Sequence, residues 1–179
     1  MFKKGNIMTQ TTKVKLVTGK VRFSYANVFS PKASVEGGTP KYSVSIIIPK
    51  SDKETIAKIQ KAFDDTKAAS AALFGGTVPK GLKGGLRDGD EEKDDPVYAN
   101  SYFINANSVQ KPGVVDQDLN PIIDANEFYS GCYGRASITF YPYNAQGSKG
   151  IACGLNNIQK LEDGEKLGGG SNAAADFAV

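Results

Sequence analysis

Eight tyrosines and nine phenylalanines occur in this 179-residue chain, with no tryptophan, and many stand beside a cation. Arg22-Phe23-Ser24-Tyr25, Lys41-Tyr42 and Tyr133-Gly134-Arg135 are the clearest cases. A flat ring stacks on a base and a neighbouring cation tracks a phosphate, a pairing that suits single-stranded nucleic acid of any sequence. Tyrosine fits the task because its ring stacks while its hydroxyl stays hydrated. The candidate stacking residues are Tyr25, Phe29, Tyr42, Tyr102, Tyr129, Tyr133 and Tyr143. The candidate phosphate contacts are Lys20, Arg22, Lys41, Lys80, Lys83, Arg87, Arg135 and Lys149. Phe63, Phe74, Phe128 and Phe140 are expected in the core instead. Residues 80–87 mix cations with glycines, so they are either a backbone approach to phosphate or an ordinary solvated loop.

Other chemistries find little support. The chain has no histidine and only two cysteines, Cys132 and Cys153, too few for a zinc site, and histidine-based triads are excluded. Asp116, Asp118, Asn120 and Glu127 fall at calcium-loop spacing, but Pro121 stands where the loop needs glycine, so a polar turn is expected. Residues 88–95 hold six carboxylates against Lys93, which reads as a solvated acidic loop rather than a two-metal nuclease site. No catalytic residue, metal or cofactor is expected. Net charge is +3, yet residues 162–179 carry four carboxylates against Lys166, leaving the rest of the chain at +6. A basic body with an acidic end is the footprint of a polyanion ligand.

The elements that must position these residues alternate in period two. Val14, Leu16, Val21 and Phe23 fall between cations across residues 14–25, with Gly19 as a bend or bulge. Residues 30–32 read as a turn. Residues 41–49 form a strand with Tyr42, Val44, Ile46 and Ile48 on one face. Ser51 and Glu54 have capping-box spacing, and Ile56, Ile59, Phe63, Leu73 and Phe74 give a helix its apolar stripe up to Gly75-Gly76. Residues 97–107, 114–116, 128–143 and 151–160 read as strands, with 144–150 a hairpin loop. One helix among many strands predicts a mainly β fold, an antiparallel OB-type barrel with an inserted helix and a flexible C-terminal tail. Residues 1–12 are expected to be a flexible extension, 13–163 the barrel and 164–179 the acidic tail. With no export signal or apolar span, the protein is expected in the cytoplasm.

Four longer strings resemble a family of phage and prophage single-stranded DNA-binding proteins. They are Pro40-Lys41-Tyr42-Ser43-Val44 with residues 46–50, Gly85-Leu86-Arg87-Asp88-Gly89-Asp90, Phe128-Tyr129-Ser130-Gly131-Cys132-Tyr133, and residues 149–159. The resemblance implies an OB fold, sequence-independent binding of single strands and no catalysis. The chain is also similar to T7-type single-strand binders, whose tails end in an acidic run and an aromatic. It departs from them by ending Asp176-Phe177-Ala178-Val179. The expectation is a coat for single-stranded DNA in phage replication or recombination, with a polymerase, nuclease or annealing protein as the tail's candidate partner. A β-rich assembly protein without nucleic-acid binding is the alternative. Oligomeric state is not encoded legibly.

Overall fold

The computed structural model describes residues 13–33, 35–145 and 148–167. Its strands are β1 (Val14–Val17), β2 (Val21–Lys32), β3 (Lys41–Pro49), β4 (Arg87–Asp88), β5 (Ser101–Ser108), β6 (Gly113–Val115), β7 (Tyr133–Ala145) and β8 (Ser148–Glu162). Helix α1 (Lys53–Ala69) and the single turn α2 (Gly89–Glu92) lie between β3 and β5, with 3₁₀ turns at Ala71–Phe74 and Pro96–Tyr98. Pairing runs β7–β2–β3–β5–β8, and β8 returns to β7, so five strands close into a barrel. Neighbours are antiparallel except β5 and β8, which meet in parallel at Asn107 and Gly154. This is the mainly β, OB-like architecture that the periodicity predicts.

Gly19 does bend the first strand, and sharply enough to divide it. β1 pairs with β7 at residues 137–140, while β2 takes up the same strand at Tyr133 and Gly134. Helix α1 crosses closely at the break: the Gly19 N–H donates to Thr55 Oγ1 at 3.0 Å, and a Cβ on Gly19 would lie 2.8 Å from that oxygen. β2 then runs to Lys32, through the residues expected to turn. Pro31 is tolerated because β2 meets β7 only at Val21 and Arg22, leaving this stretch an edge.

Alternation fills the barrel. Val21, Phe23, Val44, Ile46, Ile48, Ile138 and Phe140 are all at most 1% exposed. The four phenylalanines assigned to the core are buried, and Phe63 of α1 meets Phe140 edge-on, centroids 6.0 Å apart. Leu73 is not in the stripe. The helix ends at Ala69, and the following 3₁₀ turn sends Phe74 inward and leaves Leu73 47% exposed. The helix cap is also one residue later than expected: Asp52, not Ser51, accepts from the Thr55 N–H at 3.1 Å.

Two further elements begin later than the alternation suggests. Tyr98 belongs to the turn before β5, not to the strand, and covers Ile47 and Phe103 on the outer wall while its hydroxyl donates to Ser45 Oγ at 3.0 Å. β7 begins at Tyr133, because Gly131 adopts φ +117° and its N–H turns back to the Phe23 carbonyl at 2.7 Å. The hairpin loop is short, since β7 reaches Ala145 and β8 starts at Ser148; its two tip residues lie outside the described residues.

The cap predicts an asymmetry between neighbours. Asp52→Ala should lower unfolding free energy by about 1 kcal/mol, whereas Ser51→Ala should stay within about 0.5 kcal/mol. Urea denaturation of the two variants checks it; equal losses would return the cap to Ser51.

Candidate nucleic-acid interface

Residues that face inward on a barrel strand leave their neighbours facing out. On β3 the inward set is Val44, Ile46 and Ile48, so Ser43 faces out. The register then carries one outward row across all five barrel strands: Asn27 opposite Ser43, Ser43 opposite Asn107, Asn107 opposite Gly154, Gly154 opposite Thr139. Every member is small or amide-bearing. Four interstrand steps of about 4.8 Å give the row a contour of roughly 19 Å, which follows the curve of the barrel wall. Its middle member, Asn107, lies on β5, the third barrel strand, beside Ser43 on β3, the second. That is the face OB folds use for oligonucleotides.

Aromatic posts and cations stand at both ends. Over Asn107, Gly154 and Thr139 lies a depression of about 430 Å³, lined also by Tyr141, Lys13, Lys41 and Asn156. Tyr141 rests over Gly154, where a Cβ would come within 3.3 Å of its ring. Asn156 donates to Thr139 Oγ1 at 2.8 Å, fixing the rim between them. At the Asn27 end a cleft of about 560 Å³ is lined by Tyr25, Phe29, Tyr129, Lys32 and Lys166 among others. Lys111 lies over the Phe29 ring, and Lys32 pairs across the strands with Lys41.

Tyr25 is the most exposed ring here, at 61%. It occupies a register break between Ser24 and Asn27 and adopts φ +47°, a left-handed conformation costing an L-residue roughly 1–2 kcal/mol. Bulges of this kind re-aim side chains beside functional sites, and this one turns the ring into the cleft. Asp95 is the one carboxylate among the lining residues, and its Oδ1 accepts from the Val97 N–H at 3.0 Å.

The other candidates fall elsewhere. Tyr133 lines a separate pocket with Lys20 and Arg22, both cations within 5.4 Å of its ring centre. Lys20 is ion-paired with Glu162, and Arg22 donates to the carbonyls of Gly131 and Glu165 at 3.0 Å. Tyr42 and Tyr102 take core-facing registers, paired with Ser108 and Ile48, and Lys50 covers the Tyr102 ring. Tyr143 shares the outward face of Tyr141 but packs on Gly150, 2.6 Å from where a Cβ would be. Arg135 donates to the Thr18 carbonyl. Arg87 pairs with Glu92 at 2.8 Å over the Phe103 ring.

The glycine-rich loop is packed against the barrel. Gly84 and Gly85 lie on Phe63, Lys83 joins β8 at Gly150, and Lys80 is exposed. Lys149 sits beside that junction, where its carbonyl receives the Lys83 N–H. The acidic stretch is likewise ordered rather than a loose solvated loop. Asp88 caps α2, and Asp88 and Asp90 both hold Lys50 at 2.9 Å. Asp116 Oδ1 accepts from the N–H groups of Asp118 and Asn120, as a polar turn requires. The first residues of the expected tail dock on the barrel: Gly164 N–H donates to Tyr129 Oη at 3.2 Å and Leu167 N–H to the Ser130 carbonyl at 2.9 Å. Residues 1–12 and 168–179 lie outside the described residues.

Sequence reasoning missed Tyr141, Lys13, Lys32, Asn27, Asn107 and Asn156. Tyr141 was within reach, since it has the same parity as Tyr133 and Arg135 and the opposite of Ile138 and Phe140. The asparagines were not, because only the pairing register aligns them.

The model of the family described as "Enterobacter phage Enc34, ssDNA-binding protein" matches residues 14–179. This chain belongs to that family. Among solved structures it is similar to the single-stranded DNA-binding protein from bacteriophage Enc34 in complex with ssDNA, at 25% identity and TM-score 0.72, covering 89% of this chain and 91% of that one. Protein p50 of Acyrthosiphon pisum secondary endosymbiont phage 1 is 27% identical over 170 residues, 91% of each chain. The gp2.5 single-stranded DNA-binding protein of bacteriophage T7 shares the fold, at 16% identity and TM-score 0.62 over 92% of this chain and 94% of that one. No helix among the described residues is long and apolar enough to cross a membrane.

Lys50 links the acidic segment to the barrel, and its titration has a definite sign. Hydrogen bonds to Asp90 and Asp88 raise its ammonium pKa above the usual lysine value. The hydrogen bond from Lys50 also holds both carboxyls below the usual aspartate range. Carboxyls depressed by folding stabilise it above their unfolded pKa, an advantage lost as pH falls through the folded values. Lys50→Met should therefore destabilise uniformly between about pH 5 and 8, with the difference from the unmodified chain shrinking below about pH 4. Urea midpoints across pH test this; a difference that persists undiminished at low pH contradicts it.

Proposed function

We infer that this protein binds single-stranded DNA without sequence preference and coats it during phage replication or recombination, in the host cytoplasm and without catalysis. The strand lies along the outward row of Asn27, Ser43, Asn107, Gly154 and Thr139. Bases stack on Tyr141 at one end and on Tyr25 and Phe29 at the other, while Lys13, Lys32, Lys41 and Lys111 meet phosphates. Continuity of that row across five strands is the observation that carries the reading. Small side chains let a polymer lie close to the wall, and their amide and hydroxyl groups serve any base or sugar.

Family membership and the ssDNA complex of the Enc34 protein support this over the assembly-protein reading. The absence of catalysis is supported by the acidic segment's own geometry. Asp88 and Asp90 converge on the Lys50 ammonium, Glu92 pairs with Arg87 and Asp95 accepts from the Val97 N–H, so each of these carboxylates is already engaged within the chain. The acidic end of the chain, residues 164–179, is the proposed contact for a polymerase, nuclease or annealing protein.

Fluorescence anisotropy of labelled oligo-dT and its duplex, titrated across salt with EDTA present, is the test. Affinity for the single strand should fall with salt at a logarithmic slope of about −0.7 per phosphate neutralised. Tyr141→Ala and Tyr25→Ala should each cost roughly 1–3 kcal/mol of binding. Ser43→Glu places a carboxylate in the row and should weaken binding more than about tenfold. Ala57→Glu on the exposed face of α1, with the same charge change, should leave it intact. Equal effects of the two glutamates would move the DNA off this face, and no binding at low salt would favour the assembly protein.

A further inference from the structure

Lys93 sits among six carboxylates in sequence yet forms no ion pair among the described residues. Its backbone is fixed at the end of α2, where the N–H donates to the Gly89 carbonyl at 3.1 Å. Its ammonium lies 5.5 Å from the ring centre of Tyr25, 5.3 Å from that of Tyr98 and 5.3 Å from that of Phe103. Tyr98 and Phe103 are buried and stacked edge-on at 5.1 Å, so they form a rigid wall. Tyr25 has no such support: it is exposed, on a strained bulge, and Lys93 bridges it to that wall.

We propose that Lys93 is a positioning residue for base stacking: its ammonium pins the Tyr25 ring against the Tyr98–Phe103 wall and presets it for a base. The inference rests on the single-strand binding reading and adds a role for a cation that touches rings rather than phosphate. A preset ring loses less freedom when a base arrives, so affinity rises without a new contact to the ligand. Nearby acids serve the same end. Asp88 and Asp90 are held by Lys50 and Glu92 by Arg87, so three of the six neighbouring carboxylates do not compete with the rings for the Lys93 ammonium.

Two measurements on the full chain test it. In the free protein, ring-labelled tyrosine NMR should show the Tyr25 resonances moving and narrowing in Lys93→Met, with Lys93→Arg restoring them. A Tyr25 ring unaffected by Lys93→Met overturns the proposal whatever DNA does. With labelled oligo-dT, Lys93→Met should weaken binding roughly two- to fivefold, with the salt slope unchanged, and should have no further effect in a Tyr25→Ala background. A slope shallower by about 0.7 would make Lys93 a phosphate contact and overturn its positioning role. A loss that persists undiminished without Tyr25 would overturn it too. Failure of the unmodified chain to bind oligo-dT is a separate result that removes the functional reading itself.

Discussion

The barrel closes where β5 meets β8, at the register pair of Asn107 and Gly154. Closure forces every residue of the wall either into the core or onto the outer face, so the outward row follows from the packing inside. Ile46, Ile138 and Phe140 fill the interior, and Ser43, Thr139 and Tyr141 are left outside by alternation alone. Gly154 has no side chain to stand in the row, and Tyr141 lies over it. One position thus joins the strand that completes the fold to the ring that ends the trough.

Some cations of the chain are held by carboxylates and others are not. Lys20, Lys50, Arg87 and Lys160 are ion-paired with Glu162, Asp88, Asp90, Glu92 or Asp163. Lys13, Lys32, Lys41 and Lys111 have no acidic partner among the described residues and line or overlook the two depressions. The acidic segment between α1 and β5 therefore stabilises the scaffold by using up cations that lie elsewhere. A cation already bonded to a carboxylate must break that bond before it meets a phosphate, whereas one at the trough's rim need not.

Much of the fold was legible. Alternation marked β3 and β7, the isolated helix marked itself by its stripe, and Gly19 announced a bend. The misplaced boundaries share a cause: local composition does not say where a chain pairs. Pro31 reads as a turn unless the open edge of β2 is known, and Tyr98 reads as strand because it is aromatic among strand formers. The site was less legible. Tyr25, Phe29 and Lys41 emerged from composition, but Arg87 and Lys20 carry the same signal and are held by acids. Asn27, Ser43 and Asn107 have no signal of their own, and only register brings them together.

The most direct measurement is an amide NMR titration of the full chain with unlabelled oligo-dT. Shifts concentrated at Asn27, Ser43, Asn107, Gly154 and Thr139, with α1 and the residue 80–86 loop unmoved, would place the strand along the outward row. Shifts concentrated around Tyr102, Lys83 and α1, with the row silent, would contradict it.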